Sequence, residues 1–332
     1  MSILNKTGEF ALIEKIKELF PKNYPDEVIC GIGDDTAIIK KDDNHSILAT
    51  VDMQVEGKHF DTKYASFYEI GQKALSVNIS DIAAMGGKPS FAFISLGLPG
   101  NLETNTFDQI MHGIKKEATE YQISVLGGNI AKTNQIIIDI FLMGEINTKH
   151  ILKRSGAKIS DRIFVTGNLG SSALGLKMLQ DFGKDYPREF ENSVKAHLKP
   201  VPRIKAGQVI AKAGYATAMI DISDGLIQDL EHVCEASKVG AIIYKDKLPV
   251  AHDVQTPEYS IKDLALCGGE DYELLFTMKS DTSIGLIESL FKESGVKLTE
   301  IGKITDYEDK IKILDKDGGD VKLLSKGWDH YR

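Results

Sequence analysis

The sequence is poor in the residues that build disulfide frameworks, zinc sites and membrane spans. Its 332 residues include three cysteines, Cys30, Cys234 and Cys267, with no paired spacing between them. Scattered cysteines exclude a disulfide scaffold and a structural zinc site, and they favour a reduced, cytoplasmic protein. No apolar run approaches the roughly 18 residues of a membrane-spanning helix, and no secretory signal precedes the first amphipathic segment. We therefore expect no membrane partner.

An excess of basic charge is also missing. The chain has 40 Lys and Arg residues against 48 Asp and Glu residues, which gives a net charge of −8 at pH 7. Nucleic acids are usually bound through basic patches, so we expect no nucleic-acid partner. A nucleotide substrate is still compatible with this charge, because magnesium can join acidic side chains to phosphates.

The familiar nucleotide-binding and hydrolase motifs are absent. The segment GGNIAKT at Gly127–Thr133 ends in Lys-Thr but lacks the glycine that precedes the lysine of a P-loop. The segment GIGDDT at Gly31–Thr36 begins like a dinucleotide fingerprint but lacks its third glycine and its strand–helix context. HExxH, GxSxG and HRD do not occur. A phosphoryl-transfer enzyme with this sequence would need a carboxylate-and-metal site of another kind.

Acidic residues collect instead where apolar segments end. Asp34 and Asp35 follow a predicted strand at residues 28–32, and Asp52 follows another at residues 46–51. Carboxylates brought together repel one another unless a cation or a shared proton joins them. Magnesium prefers such oxygen ligands and often bridges them to substrate phosphates. The segment therefore predicts a metal–polyphosphate site, with a solvated acidic turn as the alternative.

Two further segments extend this pattern. Apolar residues at helical spacing predict a helix over residues 68–85, which carries Asn78 and Asp81 one turn apart. Asp81 is either another metal ligand or half of a structural hydrogen-bonded pair with Asn78. In the other half of the chain, a second strand leads into an acidic turn with Asp221 and Asp224.

The remaining pattern predicts an α+β protein of two domains, residues 1–150 and 151–332, divided by the polar segment ILKRSGAKISD. A glycine-rich turn before the helix that follows residue 170 suits an anion at a helix N-terminus. Residues 123–126 are predicted as a strand that enters a turn at residues 127–129. Residues 187–202 are predicted as a charged connector.

Nine segments together resemble one family. In chain order they are GIGDDTA, TVDMQVEGKHF, KALSVNISDIAAMGGKP, LGGN, LKRSGAKISD, VTGNLGSSALGL, IDISDGL, GGEDYELLFT and GWDHY. This set is similar to the thiamine-monophosphate kinases, members of the aminoimidazole ribonucleotide synthetase-like superfamily, nearly from end to end. The resemblance implies an α+β fold of two domains, in which the N-terminal half contributes a sheet to a homodimer interface and ATP binds close by.

The resemblance also implies roles for individual residues. The implied metal ligands are Asp35, Thr50, Val51, Asp52, Asp81, Asn129, Asp221 and Asp224, of which Asp52, Asp81 and Asp224 are central to catalysis. The implied nucleotide contacts are Gly128, Asn129, Arg154 and Ser223, and the implied substrate contacts are His59, Glu270 and Trp328. Val51 replaces a common Ser or Thr, so only its backbone can serve. Asn129 replaces a common Asp and lowers the charge of the site by one.

The implied reaction is direct, in-line transfer of the γ-phosphoryl group of ATP to thiamine monophosphate, assisted by several Mg²⁺ ions. Trp328, the only tryptophan, is suited to stack on the cationic thiazolium ring. Glu270 is expected either to accept a hydrogen bond from the aminopyrimidine or to balance the thiazolium charge. Two alternatives remain open: another ATP-dependent enzyme of the superfamily, such as an aminoimidazole ribonucleotide synthetase, or a catalytically silent nucleotide-binding protein, which Asn129 favours.

Overall fold

The computed structural model describes residues 9–20, 23–251, 260–306, 310–322 and 327. The helices are α1 (Glu9–Leu19), α2 (Phe67–Ala84), α3 (Thr104–Glu120), α4 (Ser171–Phe182), α5 (Glu191–Leu198), α6 (Ile204–Ala213), α7 (Leu226–Ser237), α8 (Ile261–Cys267) and α9 (Ile284–Ser294). The strands are β1 (Val28–Cys30), β2 (Ala37–Lys40), β3 (His45–Val55), β4 (Lys88–Pro99), β5 (Ser124–Thr133), β6 (Ile137–Asn147), β7 (Arg162–Thr166), β8 (Ala216–Asp221), β9 (Gly240–Tyr244), β10 (Leu274–Met278), β11 (Leu298–Thr305) and β12 (Ile311–Leu314).

The N-terminal half forms a sheet in the order β1-β2-β3-β6-β4-β5. Neighbouring strands are antiparallel except β4 and β5, which are parallel. One face packs against α2 and α3 through apolar residues such as Leu48, Ile138 and Ile140. Because side chains alternate along a strand, Thr50 and Gln54 are buried on β3 whereas Val51 between them is exposed.

Helix α2 is the element that joins the two halves. Its start is fixed by a capping box: the hydroxyl of Ser66 accepts a hydrogen bond from the backbone N–H of Glu69, and the Glu69 carboxylate accepts one from the backbone N–H of Ser66. Most of the helix is buried. Its C-terminal turn packs so closely on α6 that a Cβ at Gly207 would lie 2.1 Å from the carbonyl oxygen of Ala83.

The C-terminal half forms a second sheet, in the order β12-β9-β11-β7-β10-β8. One face packs on α7 and α8 through residues that include Val165, Ile220 and Leu275. On the other face, Phe164 and Phe276 stack with ring centroids 5.5 Å apart, beside α6 and α9. The predicted mixture of α and β elements in two parts is thus confirmed.

Several local predictions needed correction. Residues 127–129, predicted as a turn, lie inside β5, which is an edge strand of the first sheet. The predicted connector at residues 187–202 contains helix α5. The first sheet ends at Asn147 and the second begins at Arg162. The domain bounds of residues 1–150 and 151–332 stay a prediction. Among the described residues, no helix is both long and apolar enough to cross a bilayer.

Candidate active site

A cavity of about 1170 Å³ collects most of the predicted site residues. The predicted residues that line it are Asp35, Thr50, Val51, Asp52, His59, Asp81, Arg154, Asp221, Ser223, Asp224 and Glu270. They come from the turn before β2, from β3 and the segment after it, from α2, from the segment before β7, from the end of β8 and the turn after it, and from the turn before β10. Residues from distant parts of both halves therefore share one space.

The contact between β3 and α2 sets the first part of the site. The Thr50 hydroxyl donates a hydrogen bond to Oδ2 of Asp81. The backbone N–H of Asp52 donates to Oδ1 of Asn78 at 3.1 Å, and the Asn78 amide donates to the carbonyl of Ala74 at 3.1 Å. Asn78 thus holds the strand against the helix, and it is not the partner of Asp81.

Asp221 brings the second sheet into contact with the same helix. Its Oδ2 accepts a hydrogen bond of 2.6 Å from the hydroxyl of Ser80, which lies beside Asp81 on α2. Burial, followed by the charges of Asp52, Asp221 and Asp35, raises the pKa of Asp81. Burial and the charge of Asp35 raise the pKa of Asp221 to about 7. Four carboxylates thus repel one another across the junction of the two sheets.

Arg154 compensates only part of this negative charge. Its Nε lies 2.8 Å from Oδ1 of Asp35, and its second guanidinium nitrogen contacts the same oxygen. The other oxygen of Asp35, Oδ2, is buried and accepts no hydrogen bond from any described residue. Burial still raises the pKa of Asp35 despite this partner. An unpaired carboxylate oxygen among repelling carboxylates is the environment that a hard divalent cation fits.

Asp34 has a supporting position. Its Oδ1 accepts hydrogen bonds from the backbone N–H groups of Asp35 and Arg154, each at 3.1 Å. Burial, together with the charge of Asp35, raises the pKa of Asp34 to about 6. Asp34 therefore fixes the acidic turn against the segment that carries Arg154.

The turn before α7 is organised by a residue that the sequence motifs did not single out. Oδ2 of Asp229 accepts the backbone N–H groups of Ser223, Asp224 and Gly225 at 3.1 to 3.2 Å. Ligand-type atoms of Asp224, Asp229 and His232 lie within 4.8 Å of one another. The signal for Asp229 was its place in the first helical turn after a strand, where a carboxylate can bind free N–H groups.

Two of the predicted substrate residues, His59 and Glu270, line the same cavity. His59 accepts the backbone N–H of Val55 at Nδ1, at 3.0 Å. Burial alone would raise the pKa of Glu270, but Lys73 and His197 hold it well below its usual range. Neither of these partners was predicted from the sequence. Trp328 lies outside the described residues.

The sequence predicted an anion site at the N-terminus of α4, but a side chain of the protein already binds the free N–H groups there. Asp271 accepts the backbone N–H groups of Gly170 and Ser172 at 2.7 and 3.2 Å. A carboxylate of the protein itself thus satisfies the free donors at this helix start.

Gly128 and Asn129 are not brought to the cavity within one chain. Asn129 on β5 pairs with Ser95, Ser95 pairs with Asp139, and Asp139 pairs with Met53 on β3. Three strand spacings separate Asn129 from β3, which is roughly 14 Å. The nucleotide and metal roles of Gly128 and Asn129 stay predictions.

Comparison with known proteins agrees with this architecture. Residues 33–146 match the family described as AIR synthase related protein, N-terminal domain, and residues 158–314 match its C-terminal domain. The two-sheet fold with its acidic cavity is therefore that of an AIR synthase-related protein.

The more specific family follows from full-length relatives. The chain is 37% identical to thiamine-monophosphate kinase of Aquifex aeolicus, over 99% of both chains. It is 34% identical to thiamine-monophosphate kinase of Bacillus subtilis, over 98% of this chain and 99% of that protein. A solved structure described as AaThiL complexed with AMPPCP and TMP matches with a TM-score of 0.86 at 36% identity, over 99% of both chains. The chain belongs to the thiamine-monophosphate kinase family, a family of phosphotransferases.

Proposed function

We propose that this protein transfers the γ-phosphoryl group of ATP to the phosphate of thiamine monophosphate, giving thiamine diphosphate and ADP. The observation that carries the proposal is the single cavity in which Asp35, Asp52, Asp81 and Asp221 lie together with Glu270. The solved relative in complex with AMPPCP, an ATP analogue, and TMP supports the same pair of substrates.

The physical difficulty of this reaction is that both reactants are anions. Bound Mg²⁺ ions would neutralise the triphosphate and the acceptor phosphate together, and Asp52, Asp81 and Asp221 would hold them. The acceptor phosphate is already deprotonated near neutral pH, so the chain needs no general base. The residues of the cavity then act by alignment and electrostatics, which suits direct in-line transfer without a phosphoenzyme.

The nucleotide end of the site is assigned to Arg154 and Ser223. Arg154 carries a positive charge among the carboxylates, and its guanidinium has five donors, of which two contact Asp35. The remaining donors suit a phosphate oxygen, because a planar guanidinium matches phosphate geometry. We expect the protein to act in the cytoplasm, where ATP is made available.

We also propose that the protein is a homodimer. The outer face of the first sheet exposes large apolar side chains, a surface that monomeric proteins seldom leave in contact with water. These residues are Val51, Met53, Phe91, Phe93 and Phe141. The strand pairings place Asn129 on the same face as Met53. Contact between two such faces would bring Asn129 of one copy toward the cavity rim of the other, near Val51.

The function is tested with the purified protein, ATP and Mg²⁺ in the presence of one acceptor at a time. The acceptors are thiamine monophosphate, thiamine and an aminoimidazole ribonucleotide precursor. We expect thiamine diphosphate and ADP in equal amounts, and only with thiamine monophosphate. Turnover with the aminoimidazole precursor alone would assign the chain to another reaction of the superfamily, and nucleotide binding without turnover would make it a silent binder.

A further inference from the structure

Glu270 is held by two buried residues to which the proposed function assigns no role. Lys73 lies on α2 and His197 on α5, and they are only 4% and 3% exposed. Lys73 Nζ lies 2.8 Å from Oε1 of Glu270. His197 Nδ1 lies 3.2 Å from Oε2 of Glu270 and 3.2 Å from the hydroxyl oxygen of Ser172. Each carboxylate oxygen thus faces a nitrogen from a different helix, and the two helices fix the orientation of this one side chain.

The burial of Lys73 argues against a purely structural role. A buried ammonium carries a large desolvation penalty, and an apolar side chain of similar length would fill the same space without it. The salt bridge to Glu270 is the one ion pair that the described residues provide for Lys73. The protein therefore retains the buried Lys73 cation beside Glu270, a residue that lines the cavity.

The backbone also holds Glu270 in a fixed position. Its φ of +65° lies in the left-handed region, which non-glycine residues seldom adopt. Its N–H donates to the carbonyl of Ser223 at 2.7 Å, which ties it to the turn that also carries Asp224. Strain of this kind persists where surrounding contacts enforce it, and it is concentrated at functional sites.

The charges of the cluster decide what Glu270 offers to a ligand. Lys73 and Glu270 together are neutral, and burial with the nearby charge of Lys73 lowers the pKa of His197, so this imidazole is neutral near pH 7. A neutral pair attracts a cationic ring only weakly. Each carboxylate oxygen still has a second lone pair, so the group remains a strong acceptor for an N–H donor.

We propose that Lys73 and His197 are positioning residues that hold the Glu270 carboxylate as a hydrogen-bond acceptor for the amino group of the substrate's pyrimidine, not as a counter-ion for its thiazolium. This inference rests on the proposed function. It selects between the two roles that the sequence left open for Glu270. It also gives a role to Lys73, the first residue of the segment KALSVNISDIAAMGGKP, and to His197, which lies outside the nine segments.

The test compares thiamine monophosphate with the analogue in which an oxygen replaces the pyrimidine amino group. The wild-type protein should prefer the natural substrate by at least about 100-fold in kcat/KM, because a site built to accept an N–H bond rejects a group that cannot donate. In Lys73→Met, burial raises the pKa of Glu270, and the protonated carboxyl can donate to the analogue. The preference should then fall to within about threefold, while the KM for ATP changes little.

A matched pair at position 197 keeps the test valid if Lys73→Met fails to fold. His197→Asn keeps a nitrogen near the position of Nδ1 and should retain the preference, whereas His197→Leu should lose most of it. Lys195→Met, on the solvent side of the same helix, is the control and should behave as wild type. Retention of the full preference in both Lys73→Met and His197→Leu would overturn the inference. Absence of turnover in the wild-type protein would instead overturn the proposed function.

Discussion

At the scale of single residues, Asp81 is the side chain on which the proposed metal site depends most. It is buried, its partner is a neutral threonine hydroxyl, and three other carboxylates act on it. The aspartates could be predicted from the sequence because each follows a recognisable motif. Lys73 and His197 could not, because their roles arise from tertiary contacts with Glu270 and no local pattern indicates them. Asp229 was missed although its place in the first turn of α7 is a local signal.

Asp81→Asn should reduce kcat by roughly 10³-fold, because it removes a charged ligand from the place where phosphate charge is stabilised. The fold should survive, since an amide of the same size still accepts the Thr50 hydroxyl and relieves repulsion. Steady-state kinetics and thermal unfolding test both statements. Asp108→Asn, on the exposed surface of α3, is the control. Near-wild-type turnover in Asp81→Asn would refute a metal role for this residue.

At the scale of elements, the position of α2 decides whether the site forms. Its crossing with α3 is close enough that a Cβ at Gly113 would lie 2.0 Å from the carbonyl oxygen of Tyr68. Helix α2 was predictable because its apolar pattern is long. Strand β7 was predictable because its apolar run has clear ends. Helix α5 and strand β2 were missed because short elements carry little periodicity. Gly127 and Gly128 resembled a turn, but both lie in strand β5. Glycine is needed at position 128 because a Cβ there would lie 1.7 Å from the carbonyl oxygen of Ile94.

Gly113→Ala should lower the free energy of unfolding by about 1–3 kcal/mol, because the helices must separate to admit the methyl group. It should also lower kcat, since α2 carries Asp81. Gly285→Ala in α9 is the matched control: nothing lies within 4 Å of its Cβ, and stability should rise by up to about 1 kcal/mol. Urea unfolding measures both changes. Equal effects of the two substitutions would contradict the importance of this helix crossing.

At the scale of the whole molecule, mutual repulsion should make stability depend on pH and on divalent cations. The pKa of Asp221 is raised to about 7 and that of Asp81 is also raised, so the folded protein binds more protons than the unfolded chain above about pH 4. Without metal, the free energy of unfolding contributed by these groups should therefore fall as pH rises from about 4 to 7. Mg²⁺ should raise Tm more at pH 8 than at pH 5.

Thermal unfolding with and without Mg²⁺ at the two pH values measures this difference, and Asp81→Asn should diminish it. A Mg²⁺ effect that is equal at both pH values, or larger at pH 5, would contradict a carboxylate-based cation site.

The exposed face of the first sheet predicts the oligomeric state. Phe91→Lys should convert a dimer to a monomer, because Phe91 is 45% exposed on the outer face of strand β4 and a charge cannot be buried there without a partner. Ile284→Lys, at a residue 71% exposed on α9, should leave the dimer intact. Light scattering after gel filtration gives the masses. A wild-type monomer, or dimers in both variants, would contradict the proposed interface.

The central claim is that aspartates of both halves bind divalent ions in one cavity that also receives the two phosphate substrates. It is tested most directly by anomalous scattering from crystals of the protein grown with Mn²⁺, a non-hydrolysable ATP analogue and thiamine monophosphate. We predict strong anomalous peaks within ligand distance of Asp52, Asp81 and Asp221, adjacent to the phosphates. Bound substrates with no peak beside these carboxylates would contradict it.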